Sequence, residues 1–417
     1  MKEKELITQL FKTEYRKIIS VLSKLFGPAL SGIEIAEDIT NDTFLLASEI
    51  WELKGIPENP TAWLYTVAKN KTKDYIKRNK IFTEKVAADF TLNHNQHAET
   101  EVDLSNKNIT DSQLQMIFAI CNPIIPTEAQ IGLALRILCG FAIDEIAEAF
   151  LTNKETINKR LFRAKEKLRS ENVKIELPDD RVLPSRLESV LTTLYLLFNE
   201  GYYSSTQNNS LRKELCLEAM RLTYFLIENE STNMPNVNAL MALMCFHASR
   251  FEARLDEKGE PILYEEQDES LWNSQLIQRG NFYLIESAKG EEISKFHLEA
   301  SIAYWHTSKI ETVNKWQNIL LLYNKLLLID YSPIVALNRT FALSKVSGKQ
   351  VAIIEAEKLN LKDNHLYYSL LGDLYSDINN TKAIQNFELA LNLAFTIADK
   401  VTITKKLTNL KSKTSRE

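Results

Sequence analysis

Apolar residues recur at helical intervals through most of this chain. Between Thr61 and Lys80, in TAWLYTVAKNKTKDYIKRNK, the stripe is Leu64, Val67, Ala68, Tyr75 and Ile76, which predicts one amphipathic helix. In IAEDITNDTFLLASEIWEL, residues 35–53, Ile39, Thr43, Leu46 and Ile50 form an apolar face, and Glu37, Asp38, Asn41 and Asp42 an acidic one. In GFAIDEIAEAFLTNKETINKRLFRAKEKLR, residues 140–169, Ile143, Ile146, Ala147 and Phe150 predict a short helix. A tight turn follows at Leu151-Thr152-Asn153, then a second helix whose buried stripe is Ile157, Leu161, Ala164 and Leu168. Thr152 to Glu155 fits the S/T-x-x-E capping box that opens such a helix. Past a polar, proline-marked junction, ENVKIELPDDRVLPSRL, the segments Leu187–Phe198, Leu211–Ile227, Val237–Ala253 and Gln317–Ile329 also read as helices. The expected fold class is all-α.

The polar positions between these stripes are unevenly charged. The chain carries a formal net charge of −5, yet Lys69–Lys80 holds six basic residues against Asp74 alone, and Lys154–Arg169 holds seven against Glu155 and Glu166. Between them Ile81–Asp111 is polar and mostly acidic. Lys69, Lys73 and Lys77 are four apart and Lys80 is three further on, so four ammonium groups share one side of a helix. Like charges at that spacing repel, which makes the row mildly destabilising unless an anion lies against it. Asn70 sits beside the row, with an amide suited to a base edge or a phosphate. Trp63 fits a core better than a base-stacking platform. On the later helix Thr156, Asn158, Lys159, Arg160 and Arg163 form a polar, basic face. A helix, a short turn and a basic second helix is the geometry that enters a major groove. Two basic helices on an acidic tether suggest two contact points on one polyanion. The plain alternatives are a solvated lysine face and an ordinary helical pair.

Composition narrows the class. At 417 residues, with 45% hydrophobic residues and only 11 Gly and 10 Pro, two or three helix-rich globular domains are expected. The charged start argues against a signal peptide, and no apolar run approaches the roughly 20 residues that span a bilayer. Cys121, Cys139, Cys216 and Cys245 are scattered, which fits a reducing cytoplasm without a disulfide framework or a zinc site. His94 and His97 have no further ligands nearby, so no metal or cofactor is expected. No nucleophile motif or phosphate loop points to an enzyme.

AEDITNDTF, then GIPENPTAWLYTVAKNKTKDYIKR, then LRILCGFAIDEIAEAFLTNKETINKRLFRAKEKLR resemble, in that order, regions 2 and 4 of an extracytoplasmic-function (ECF) sigma factor. The resemblance implies a region 2 bundle over residues 1–80, a flexible acidic linker over 81–112 and a region 4 helix-turn-helix over 113–172. Its partners would be core RNA polymerase, through the β′ clamp helices and the β flap, and promoter DNA. It places Asp38, Asn41, Asp42 and Phe44 on the polymerase. It places Lys54, Asn59, Trp63, Lys69, Asn70, Lys73, Lys77 and Arg78 at the minus-ten element, where the loop Lys54–Thr61 would capture a flipped base. Thr156, Asn158, Lys159, Arg160 and Arg163 would read the minus-thirty-five element. The two halves would flex about the linker in the free protein. Two departures stand out: Ala142 and Ile143 replace the usual Ser or Thr cap, a loss of about 1 kcal/mol, and Leu151 occupies a turn position that often holds Gly.

The remaining part, residues 180–417, also resembles something known. Tyr367–Ala394 resembles a tetratricopeptide repeat, with Tyr368, Leu371, Gly372 and Tyr375 in its first helix and Ala383, Phe387 and Ala390 in its second. A weaker unit lies around Leu320–Leu343. LYLLFNEGYYSS, ALMCFHASRFEARLDEKGEPILYEEQDESLW and SPIVALNRTFAL resemble the extension of one ECF subgroup that carries a built-in helical regulator. Polar residues inside these helices, Asn199, Glu200, His247, Arg250, Arg254, Asp256, Asn338 and Arg339, form either a pocket for a regulatory protein or small ligand, or buried pairs that fix packing. Buried pairing is the favoured reading. The competing functions are a helix-turn-helix regulator without polymerase docking and a protein-interaction scaffold.

Overall fold

The stripes become helices packed into two compact units. The structure, a computed structural model, describes residues 2–26, 31–86, 102–202, 209–256 and 262–414. It is all-α, with no strand among the described residues. His94 and His97, and residues 87–101 of the acidic segment, lie outside the described residues.

The first unit comprises residues 1–201 and 217–232. Its helices are α1 (Lys2–Ser23), α2 (Ser31–Lys54), α3 (Pro60–Val86), α4 (Asn106–Ile120), α5 (Thr127–Leu133), α6 (Ile143–Ala149), α7 (Lys154–Ser170), α8 (Leu183–Tyr202) and the C-terminal part of α9 (Asn209–Glu228). A π-helical turn, Ala134–Leu138, continues α5. Helix α1 is central. Tyr15, Ile18, Ile19 and Leu22 are fully buried, and α1 packs on α2, α3, α4 and the π turn. One apolar stripe therefore serves both basic helices' neighbourhoods.

Several sequence expectations are corrected here. Helix α3 runs to Val86, and α4 begins at Asn106, so the linker expected over residues 81–112 includes helix at both ends. Just before α4, Val102 and Leu104 are buried. The cap of α7 is Asn153, whose Oδ1 accepts from the Thr156 N–H at 2.8 Å, and not Thr152. An Asn side chain with extended backbone is an excellent N-cap. Ala142 offers no capping oxygen, but Glu145 accepts from its N–H at 2.8 Å, which supplies half of a capping box. Leu151 takes the left-handed conformation at φ 48° and stays exposed; a residue with a Cβ is strained there.

The C-terminal extension starts inside this unit. Leu187, Val190, Leu191, Leu194 and Leu197 of α8 are all essentially inaccessible. Thr193 Oγ1 donates to Gln130 Oε1 at 2.6 Å, and Gln130 Nε2 donates to the carbonyls of Asn122 and Ile125. From α9, both Glu218 carboxylate oxygens accept from Arg16 Nη1 at 2.7 Å, while Arg221 donates to the Leu138 carbonyl at 2.7 Å.

The second unit comprises residues 202–216 and 233–417, so the chain crosses between units three times. Helices α10 (Pro235–Ala248), α11 (Ser274–Ser287) and α12 (Lys295–Trp305) pack together, followed by α13 (Val313–Ile329), α14 (Pro333–Ser347), α15 (Lys349–Leu359), α16 (His365–Tyr375), α17 (Asn380–Leu393) and α18 (Ile397–Thr414), each against its sequence neighbour. Tyr367, Leu371, Leu374, Phe387 and Ala390 form one core with Ala352, Ala356 and Leu407. Gly372 lets α16 approach Phe387: a Cβ there would sit 2.6 Å from Phe387 Cε1. The four cysteines are buried and form no disulfide. Among the described residues no helix is long and apolar enough to cross a membrane, and no cluster of potential metal ligands forms.

Two outcomes follow from this packing. Gly372→Ala should lower stability by about 1–3 kcal/mol, because overpacking at the ring outweighs the helix propensity gained; thermal melting checks this. A chain ending at Asn172 should bind a hydrophobic dye and aggregate, because the surface that α8 covers in the first unit becomes exposed; gel filtration and dye fluorescence check this.

Candidate polymerase and nucleic-acid interface

Helix α2 presents its acidic residues in two directions. Asp38, Asn41 and Asp42 are exposed, with Asp42 only 3.5 Å from Lys71 of α3. Glu37 turns inward. Its Oε2 accepts from Lys165 Nζ of α7 at 2.6 Å, and its Oε1 lies 3.8 Å from Arg136 Nε. One turn earlier, Glu34 pairs with Arg169. Arg136 also donates to the Phe141 carbonyl at 3.1 Å and the Tyr15 hydroxyl at 3.3 Å, with its guanidinium over the Tyr15 ring. Burial and the nearby Glu37 carboxylate raise the Tyr15 hydroxyl's pKa, so the ring stays neutral. The two basic regions are therefore docked together in one unit. Free flexing about a tether does not describe this arrangement. Phe44 is a further correction. It is buried, with its ring edge-on to Phe11 at 5.0 Å, so it holds α1 to α2 and belongs to no exposed docking face.

Helix α3 divides as its pattern implies. Leu64, Ala68 and Thr72 are buried, and Tyr65 donates to Glu14 of α1 at 2.6 Å. Asn70, Lys73, Lys77 and Arg78 are exposed, and Lys69 is half-buried. Trp63 packs edge-on to the buried Trp51 at 5.5 Å, so its ring is engaged with the core. Asn59 serves the fold: its Oδ1 accepts from the Ala62 N–H at 3.0 Å and caps α3, whose first residue is Pro60. The loop from Lys54 to Asn59 is mostly exposed, with Gly55 at φ 83°. Asp103 lies beside Lys69, and its carboxyl is held below the usual range first by hydrogen bonds from Ser105 and least by that lysine.

Helix α7 buries Ile157, Leu161, Ala164 and Leu168, all four of the residues its pattern marks. Thr156, Asn158, Lys159 and Arg163 are exposed on the other side. Arg160 is half-buried, with its guanidinium over the Phe150 ring at 5.5 Å. Phe162 is exposed among them, a residue that the charge pattern did not single out.

The polar cluster of the extension is split. Asn199 and Glu200 belong to the first unit, where burial raises the Glu200 carboxyl's pKa. Asn338 is exposed on α14, and Arg339 bonds Asn324 at 2.9 Å and lies 3.6 Å from Glu355. His247, Arg250, Arg254 and Asp256 fall together in the second unit, beside aromatic residues that the sequence pattern did not connect with them. Arg254 covers the Tyr202 ring at 3.7 Å, and His247 packs on the same ring at 4.6 Å.

Residues 10–81 match the sigma-70 region 2 family, and residues 186–288 match a family of unknown function, DUF6596. An uncharacterized protein of Rhizobium meliloti (strain 1021) is 30% identical over 386 residues, covering 91% of this chain and 90% of its own length. No solved structure matches the chain. The region 2 match begins within α1 and ends within α3, and so covers the exposed acidic patch of α2 and the exposed basic row of α3. The chain belongs to one family with the Rhizobium meliloti protein, and its N-terminal helices carry a sigma-70 region 2 domain.

Proposed function

We propose that the protein is an ECF-type sigma factor that docks on core RNA polymerase and directs promoter-specific initiation, with its C-terminal helices as a built-in regulator. One observation carries this reading: a single sigma-70 region 2 domain exposes both Asp38, Asn41 and Asp42 on α2 and the row Asn70, Lys73, Lys77 on α3. A DNA-binding repressor needs the second surface and has no use for the first. In this reading the acidic patch meets the β′ clamp helices, α3 contacts the minus-ten element, and the exposed face of α7 enters the major groove at the minus-thirty-five element.

The docked arrangement then has a mechanical consequence. The centres of the two elements are roughly 25 base pairs apart, or about 85 Å at 3.4 Å per pair. A compact unit of about 220 residues has a radius of gyration near 17 Å. Both helices cannot reach their elements while α2 and α7 stay paired. We infer a closed free form that opens on polymerase, with α8 and α9 bracing the closed form through Thr193–Gln130 and Arg16–Glu218. The opening exchanges Glu34 and Glu37 from Lys165, Arg169 and Arg136 to polymerase groups. Breaking a half-buried pair without a replacement costs a few kcal/mol, so opening is coupled to docking.

Run-off transcription with core polymerase on pooled genomic promoter fragments tests the assignment, with discrete new transcripts expected. Absence of both transcripts and core binding would overturn it in favour of a regulator without polymerase docking. Lys73→Glu and Arg163→Glu should each weaken promoter binding more than tenfold, and the loss should shrink as salt rises; unchanged binding would favour the scaffold. Lys165→Gln combined with Arg169→Gln should reduce several-fold the protein concentration needed for half-maximal transcript. No change would show that the closed form presents no barrier.

A further inference from the structure

The second unit holds a half-buried cation, Arg250, that no carboxylate matches among the described residues. Arg250, at the end of α10, is half-buried, and among the described residues no carboxylate lies within ion-pair reach of it. Its guanidinium lies 5.4 Å from the centre of the Tyr264 ring and 6.0 Å from that of Trp272. Its side chain's hydrogen-bonding neighbour among the described residues is the Tyr202 hydroxyl, at a long 3.5 Å. Lys315 also approaches Tyr264: it is 2% exposed, with Nζ 5.7 Å from the ring centre. Lys315 is accounted for: it donates to the Ser308 carbonyl at 2.7 Å and lies 3.4 Å from Glu311. Glu311 in turn accepts from the Trp316 indole, so it is already committed.

The surrounding groups show the same imbalance. Burial, Arg250 and Lys315 push the His306 imidazole down to about 4, and burial with Arg250 and Arg254 holds His247 well below its ordinary value. Both rings are therefore neutral at physiological pH, and neither adds a charge or removes one. The acids on the nearby turns, Glu265, Glu266 and Glu269, are exposed.

A second, independent feature lies beside Arg250. Trp272 is 8% exposed, and its Nε1–H is buried with no acceptor among the described residues. An indole N–H in the interior normally finds a partner, and a buried unsatisfied donor is costly. Two donors, a guanidinium and an indole N–H whose ring centre lies 6.0 Å from it, thus lack a matching acceptor. An oxyanion supplies what both lack: charge for the guanidinium and lone pairs for both donors.

We propose that Arg250 and the Trp272 indole N–H form a binding site for an oxyanion, the carboxylate or phosphate group of a small molecule, with Tyr264 as its aromatic wall. Arg250, Tyr264 and Trp272 all lie in the segment that matches the family of unknown function. The proposal does not depend on whether the N-terminal helices direct transcription.

The test uses the full chain, with sodium phosphate and sodium benzoate as probes and sodium chloride holding ionic strength constant. Thermal melting and tryptophan fluorescence are the readouts. One probe should raise the melting temperature saturably and change the fluorescence, while chloride does neither; which probe does so separates phosphate from carboxylate. Arg250→Gln should weaken that probe's binding about tenfold or more, and Trp272→Phe, which keeps the ring and loses the N–H, about three- to tenfold. Without a probe, Arg250→Gln should melt no lower than the native chain, because it removes an unpaired, half-buried cation. Saturable binding by neither probe would overturn the proposal. So would an Arg250→Gln chain that melts lower and binds the probe as tightly as the native one, since Arg250 would then be a packing residue.

Discussion

The first unit depends on where Glu37 points. A carboxylate on the inner edge of α2, 2.6 Å from Lys165 and 3.8 Å from Arg136, ties three segments that are distant in sequence. Arg136 passes the link to Tyr15, the fully buried ring at the centre of α1. In a half-buried setting such a pair contributes little net stability, because desolvation offsets attraction, but losing one partner strands the other charge. The network therefore acts mainly on specificity: it selects one docking of α7 on α2 among the many that apolar stripes alone would allow. The apolar burial along α1 supplies the stability, and the charges choose the register.

That division explains what could be read from the sequence. Helical period encodes which face is buried, so the stripe of α7 and the exposure of Lys73 and Lys77 on α3 were legible, while Lys69 of the same row is half-buried. The helical segments of the extension were legible for the same reason. Partner choice is not encoded in the period. Glu37 and Asp38 are adjacent acids with the same local pattern, yet one is paired inside the unit and the other faces water. Phe44 sits in a motif that resembles a docking surface, but Phe11, 33 positions earlier, decides its place. Arg250 stood out as a charge in an apolar helix, whereas Tyr264 and Trp272, which define its surroundings, sit in a polar loop that gives no periodic signal. The cap at Asn153 was missed by one residue, because Thr152 and Asn153 are both good caps and only backbone geometry separates them.

The two units treat their charges differently. In the first, Arg16, Lys165, Arg136 and Arg169 each meet a carboxylate, and half-buried Arg186 donates to the Phe118 carbonyl; Lys73, Lys77 and Arg163 stay exposed on α3 and α7. In the second, the imbalance is internal, around Arg250. Exposed cations are solvated and cost little. A half-buried cation without a counter-charge is costly, and a fold that keeps one retains a penalty that packing must offset.

On the proposed reading, these two charge patterns also set the direction of control. The acidic helix of region 2 is the surface that polymerase must reach, and part of it is occupied by the basic helix that must reach DNA. Docking and closure compete for the same carboxylates, so neither has to be strong for the competition to be sharp. A coupling of about 1–3 kcal/mol changes affinity roughly 5- to 150-fold, which is within the range of one or two half-buried pairs. The extension enters this balance directly, because α8 and the end of α9 are packed into the first unit through Gln130, Arg16 and the Leu138 carbonyl. Any influence that strains those contacts shifts the closed form itself. A regulator built this way need not cover the DNA-binding faces; it has only to change how firmly α2 and α7 hold each other.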